Sequence, residues 1–118
     1  MNQADDCIFC KIVRREIPAR EVLRDEEVVA FHDLRPQAPT HILVVPTLHA
    51  EHLSDFNAKA TANVKARLFA AAAEVGARFQ REDQGYRVVI NEGPDGGQTV
   101  GHLHLHVLAG RHMTWPPG

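Results

Sequence analysis

The run His102-Leu103-His104-Leu105-His106-Val107-Leu108 constrains this chain more than any other segment. Successive side chains of a β-strand point to opposite faces, so strict alternation places His102, His104 and His106 on one side and Leu103, Leu105 and Val107 on the other. Such a strand needs an apolar layer under one face and leaves three imidazoles on the other. A lone histidine there is readily a solvated polar group. Three in register, with Cα atoms about 6.6 Å apart per pair of residues, can converge on one anion or one metal ion.

The rest of the chain supplies that layer. From about Thr61 to Arg81, Val64, Leu68, Ala72, Val75 and Phe79 recur at three- and four-residue intervals, which predicts one long amphipathic helix. A short helical or irregular segment, Ile8 to Glu16, ends before Ile17-Pro18. Glu21–Arg24 and Val28–Phe31 flank an acidic turn as a hairpin, and His41–Pro46 is β-branched, apolar and bounded by prolines. Tyr86–Ile90 and about His102–Leu108 complete the strands. The order β-β-β-α-β-β predicts an α+β fold in which one long helix covers an antiparallel sheet. With 118 residues, one domain over 1–118 is expected.

Charge narrows the function. Thirteen Lys and Arg against 15 Asp and Glu give a net charge of -2, which offers no general attraction to nucleic acid or an anionic membrane. No apolar stretch approaches the roughly 20 residues needed to cross a bilayer. The polar, acidic stretch Met1 to Asp6 has no secretory pattern, so a cytoplasmic location is expected. The two cysteines form Cys7-Ile8-Phe9-Cys10, a spacing used by metal sites and redox dithiols. Before the histidines, Gly93, Gly96, Gly97 and Gly101 give a loop whose amides can turn toward an anion, with the Thr99 hydroxyl beside them. Loop and histidines together favour phosphoryl or nucleotidyl transfer over simple metal ligation.

The segment Gly97-Gln98-Thr99-Val100-Gly101-His102-Leu103-His104-Leu105-His106-Val107-Leu108 resembles the signature of the histidine triad family. Phe31-His32-Asp33, Pro36-Gln37-Ala38-Pro39-Thr40-His41, Asn91-Glu92-Gly93 and Trp115-Pro116-Pro117-Gly118 extend the likeness to its Hint branch, over nearly the whole chain. The resemblance implies a purine nucleoside phosphoramidate hydrolase with His104 as nucleophile and a covalent nucleotidyl-histidine intermediate. It further implies His106, Thr99 and the amides of Gly97, Gln98 and Val100 at the phosphate, Asn91 near the leaving group or loop, His41 as proton relay, and His102 as a catalytic member of the triad that can shuttle protons only if it holds no metal. Asp33 would accept the ribose hydroxyls, beside His32, and Ile8, Phe9, Ile12 and Phe31 would sandwich the base. In the family two chains pair through the long helix and a strand into one continuous sheet, and the tail carries Trp115 to the neighbour's site.

Two positions depart from that pattern: Thr99 where serine is usual, and Gly101 where an aromatic residue is common, which either loosens the start of the strand or permits a close backbone approach. Cys7 and Cys10 resemble part of a zinc site of bacterial relatives, whose further ligands would be His49 and His102, with His52 as the substitute for His49. Four protein ligands make such a zinc structural. The alternatives are a nucleotide-binding or scaffold protein with incidental turnover, a dinucleoside polyphosphate hydrolase, a nucleotidylyltransferase, which usually carries glutamine at the position of His106, and metal-dependent hydrolysis through the histidines.

Overall fold

The computed structural model describes residues 6–118; the acidic stretch over 1–5 lies outside them. Five strands form one sheet: β1 (Glu21–Arg24), β2 (Val28–His32), β3 (Thr40–Pro46), β4 (Tyr86–Ile90) and β5 (Leu105–Ala109). Their spatial order is β1-β2-β3-β5-β4, antiparallel throughout. The α+β expectation holds. Helices α1 (Ile8–Val13), α2 (Leu53–Lys59), α3 (Ala62–Phe79) and the single turn α4 (Gly93–Gly96) accompany them among the described residues.

The register explains why two faces differ. Ala30 pairs with Val44 and Val44 with Leu105, while Phe31 pairs with Leu43 and Leu43 with His106. The first set lies under α3, whose Leu68, Ala71, Ala72 and Val75 join Val28, Ile42, Leu103, Leu105 and Val107 in the larger core. The second set faces α1, where Phe9 and Ile12 pack with Val29, Phe31, Leu43 and Val45. Each buried aliphatic side chain contributes roughly 1.5–3 kcal/mol, so the α3 face dominates stability and leaves the α1 face available for polar groups.

Local chemistry sets the helix ends. The Thr61 hydroxyl accepts from the Val64 amide and starts α3. The Arg24 guanidinium donates to the carbonyls of Ile12 and Val13 at the C-terminal end of α1, binding that helix to the hairpin. Helix α2 was not anticipated. Its sign in the sequence is His52-x-x-Asp55: His52 Nδ1 accepts from the Asp55 amide at 3.1 Å, and Asp55 accepts from the Glu51 amide at 2.9 Å, a reciprocal cap built without serine or threonine.

Strand β5 begins three residues later than expected. His102 and His104 lie outside the ladder, and Leu103 donates its amide to the Ala50 carbonyl at 2.8 Å instead of to a neighbouring strand. The alternation of faces survives: Leu103, Leu105 and Val107 are all fully buried in the α3 core.

At the sheet edge, the Tyr86 ring lies flat against Gly76 of α3. A Cβ on Gly76 would stand 2.3–2.4 Å from three Tyr86 ring carbons. Gly76→Ala should therefore cost about 1–3 kcal/mol. Urea denaturation should recover most of that in Gly76→Ala/Tyr86→Ala relative to Tyr86→Ala alone.

Candidate functional site

A cavity of about 750 Å³ opens on the α1 face of the sheet. Its walls hold Ile8, Phe9, Ile12, Phe31, His32, Asp33, His41, Asn91, Gly97, Thr99, Val100, His104 and His106. Arg20, Arg35, Gln37 and Leu43 also line it and were not anticipated. Two arginines at a cavity mouth suit a phosphorylated ligand, but isolated arginines in a sequence look like any solvated charge. The apolar wall comes from α1 and β2, with Phe9 and Phe31 edge to face at 5.5 Å.

At the bottom of the cavity, hydrogen bonds fix which histidine nitrogen carries a proton. His104 Nδ1 lies 2.7 Å from the His102 carbonyl, which only accepts, so Nδ1 donates and Nε2 of a neutral ring keeps its lone pair. The Gln37 amide donates to His41 Nδ1 at 3.0 Å, which puts the His41 proton on Nε2. That nitrogen is 2.9 Å from His106 Nδ1; when His106 accepts there, it carries its own proton on Nε2. The rings of His104 and His106 stand 4.9 Å apart. A lone pair and an N–H donor are thus presented side by side.

Burial favours the neutral form of His106 and His41. It pushes His106 down to about 4 and lowers His41 from the ordinary imidazole value, with the Asp33 carboxylate opposing in both. The folded chain then binds fewer protons than the unfolded chain between about pH 6.5 and 4, so stability is full above that window and falls as pH drops through it. Urea midpoints measured from pH 7 to 4 should decline most steeply there. His106→Gln, which cannot take up a proton, should flatten the decline.

His102 points elsewhere. It does not line the cavity but meets Cys7, Cys10 and His49 beneath the N-terminal end of α1. Its Nδ1 is 3.2 Å from Cys7 Sγ, 3.5 Å from Cys10 Sγ and 3.2 Å from His49 Nδ1; Cys10 Sγ is 3.1 Å from His49 Nδ1. A tetrahedral ion with metal–sulfur bonds of about 2.3 Å and metal–nitrogen bonds of about 2.0–2.1 Å has ligand-to-ligand edges of about 3.3–3.8 Å, close to this set. His102 Nε2 donates to the Pro46 carbonyl at 2.9 Å, which leaves the Nδ1 lone pair facing the cluster, as an outer hydrogen bond does for a ligating histidine. Burial pushes His102 down to about 4. His49 Nε2 is buried without a partner among the described residues, so that ring is oriented from its Nδ1 end, by the cluster. These residues fit a tetrahedral metal ion. His52 is not one of them; it caps α2 and lies 3.6 Å from Glu92.

The glycine loop works differently from the expected amide cradle. Gly97 and Gln98 donate their amides to the Pro94 and Gly93 carbonyls, and the Gly93 amide goes to Gln98 Oε1. Gln98 braces the loop, its Nε2 donating to the Glu51 and Val100 carbonyls at 2.6 and 2.9 Å, and it does not line the cavity. Gly97 has φ +79°, which closes α4 with a left-handed residue. A Cβ on Gly101 would meet nothing within 4 Å, so that glycine marks open space and not a close backbone approach. Trp115 is 81% exposed and stands outside the cavity of its own chain.

Residues 14–113 match the family model described as HIT domain. An uncharacterized HIT-like protein of Synechococcus elongatus is 50% identical over 117 residues, covering 98% of this chain and 99% of that protein. A 14 kDa zinc-binding protein of Zea mays is 45% identical, covering 100% of this chain and 94% of the maize protein. Among solved structures, a HIT family hydrolase from Legionella pneumophila superposes with a TM-score of 0.88 at 45% identity, covering 95% of this chain and 99% of that one.

Proposed function

The chain belongs to the HIT domain family, and from that premise we propose that it hydrolyses purine nucleoside phosphoramidates of the adenosine 5′-monophosphoramidate kind, as a Hint-branch member working through a nucleotidyl-His104 intermediate. The observation that carries this reading is the opposite hydrogen-bond polarity of two adjacent rings: Nε2 of His104 offers a lone pair, and Nε2 of His106 offers a proton. A nucleophile at phosphorus needs the first, and the charge that develops on the phosphate oxygens needs the second.

In the first displacement His104 Nε2 bonds to phosphorus and the P–N bond breaks, its electron pair leaving on the amine. The amine takes a proton through the His41–His106 pair, and water resupplies it. In the second, water attacks phosphorus and gives a proton back to the His41–His106 pair, the bond to His104 breaks with its electron pair returning to Nε2, and the nucleoside monophosphate departs. Thr99 and the arginines at the mouth assist the phosphate, Asn91 supports the leaving-group side, Asp33 accepts the ribose hydroxyls beside His32, and Ile8, Phe9, Ile12 and Phe31 hold the base. The test is release of AMP from adenosine 5′-phosphoramidate by the intact chain, and its loss when His104 is replaced.

We assign zinc as the metal of the Cys7, Cys10, His49 and His102 set, on the donor chemistry and the maize relative's description. When bound it supplies a crosslink between α1 and the sheet, with no coordination position left open. Thiolate ligands suit a reducing compartment, in keeping with a cytoplasmic location. Among the described residues, no helix is long and apolar enough to cross a membrane. We further propose a homodimer joined along the edge strand β4 and α3. Exposed Phe69 on α3 and Tyr86 and Val88 on β4 support it, and Trp115 would then reach the partner's cavity.

A further inference from the structure

One proton at the base of the cavity has two acceptors. His41 Nε2 is 2.9 Å from His106 Nδ1 and 3.4 Å from Asp33 Oδ2. The Gln37 amide occupies His41 Nδ1, so a neutral His41 has only its Nε2 proton to give. Distance favours His106; the full charge of the carboxylate favours Asp33. The consequence for the cavity differs. When His106 Nδ1 accepts, the single proton of His106 sits on Nε2, facing the ligand. When Asp33 draws the His41 proton, His106 Nδ1 loses its donor, and His106 also populates the tautomer that carries its proton on Nδ1 and presents a bare lone pair at Nε2. A lone pair there repels a phosphate oxygen.

We propose that Asp33 is a ribose sensor: nucleoside hydroxyls that donate to its carboxylate withdraw it from His41, commit the His41 proton to His106 Nδ1, and so set an N–H at His106 Nε2 against the phosphate. This rests on the nucleotide reading of the cavity. No net proton moves. His41 keeps its Nε2 proton throughout, and His106 exchanges one proton between its two nitrogens through water. Asp33 thereby acts as a positioning residue in addition to its ribose contact, and the sugar is read in kcat as well as in KM.

The test uses the full chain with 15N-labelled histidine, as wild type, Asp33→Ala and Asp33→Asn, free and with AMP or 2′,3′-dideoxy-AMP. Imidazole nitrogen shifts report the tautomer directly. AMP should move His106 toward the Nε2–H form, and dideoxy-AMP should bind without doing so. Asp33→Ala should show that form with no nucleotide present. Asp33→Asn retains the side-chain oxygen that accepts the Arg35 amide, so it keeps the fold comparable, and its amide nitrogen, which only donates, takes the place of the oxygen that faces His41, so it should show the same form as Asp33→Ala. In turnover, the dideoxy phosphoramidate should lose about tenfold in kcat with the wild type, and the gap should close in Asp33→Ala. An identical His106 tautomer in every state, or an unchanged kcat gap in Asp33→Ala, overturns the proposal. An AMP titration that moves no cavity signal overturns the nucleotide reading instead, while the comparison of free proteins still decides whether Asp33 competes for the proton.

Discussion

Replacing His104 with asparagine should lower turnover of adenosine 5′-phosphoramidate by about 10⁴-fold or more, because loss of a covalent nucleophile removes the whole two-step route and not one stabilising contact. Asparagine is chosen because its side-chain amide can keep a donor toward the His102 carbonyl, the partner that His104 Nδ1 holds at 2.7 Å. The pocket around it stays filled: His104 is 5% exposed and its ring meets Phe9 edge to face at 5.2 Å. AMP binding, followed by calorimetry, should therefore persist. Mass spectrometry of acid-quenched reactions should show a nucleotidyl adduct on the wild type and none on His104→Asn. Turnover that survives the substitution would remove the nucleophile assignment.

The second large effect concerns stability. Cys10→Ser should lower stability by about 3 kcal/mol or more, since it removes a thiolate from a buried metal set and leaves the other three ligands unsatisfied. For a chain of this length that corresponds to a fall in Tm on the order of 10 °C. Chelation of the wild type should give a similar shift, followed by calorimetry with metal content measured in parallel. The order of events separates two mechanisms. If zinc is a crosslink, the melting temperature falls on chelation while initial turnover at low temperature continues. If the metal takes part in the reaction, turnover stops as soon as it is removed. The loss should be felt at the cavity in time, because α1 carries Phe9 between the two cysteines, and Phe9 packs on both His102 and His104.

Alternation from Leu103 to Val107 correctly divided the faces, because burial of the leucines depends on period alone. It misjudged where the ladder begins, since His102 answers to a cysteine pair far away in the chain and the Leu103 amide to the Ala50 carbonyl. The periodic face of α3 was legible at Leu68, Ala72 and Val75, whereas α2 was hidden by a histidine cap. Gly93, Gly96, Gly97 and Gly101 suggested an anion cradle by composition, but the Gly93 and Gly97 amides close on the loop itself, a matter of backbone geometry that residue type does not reveal. The proton assignment at His41 hangs on the main-chain amide of Gln37, a group that every residue except proline possesses.

The position of β5 has a consequence for how the chain is made. It follows the other four described strands in the chain, yet it lies between β3 and β4 and, among the described residues, is the only link that joins β4 to the rest of the sheet. A nascent chain emerging from the ribosome can form the β1–β2–β3 meander early, but β4 has no partner until Leu105–Ala109 is free. Closure of the sheet, and with it the seating of His104 and His106, therefore waits for Leu105–Ala109, so the β1–β2–β3 meander cannot assemble the site before β5 inserts beside it.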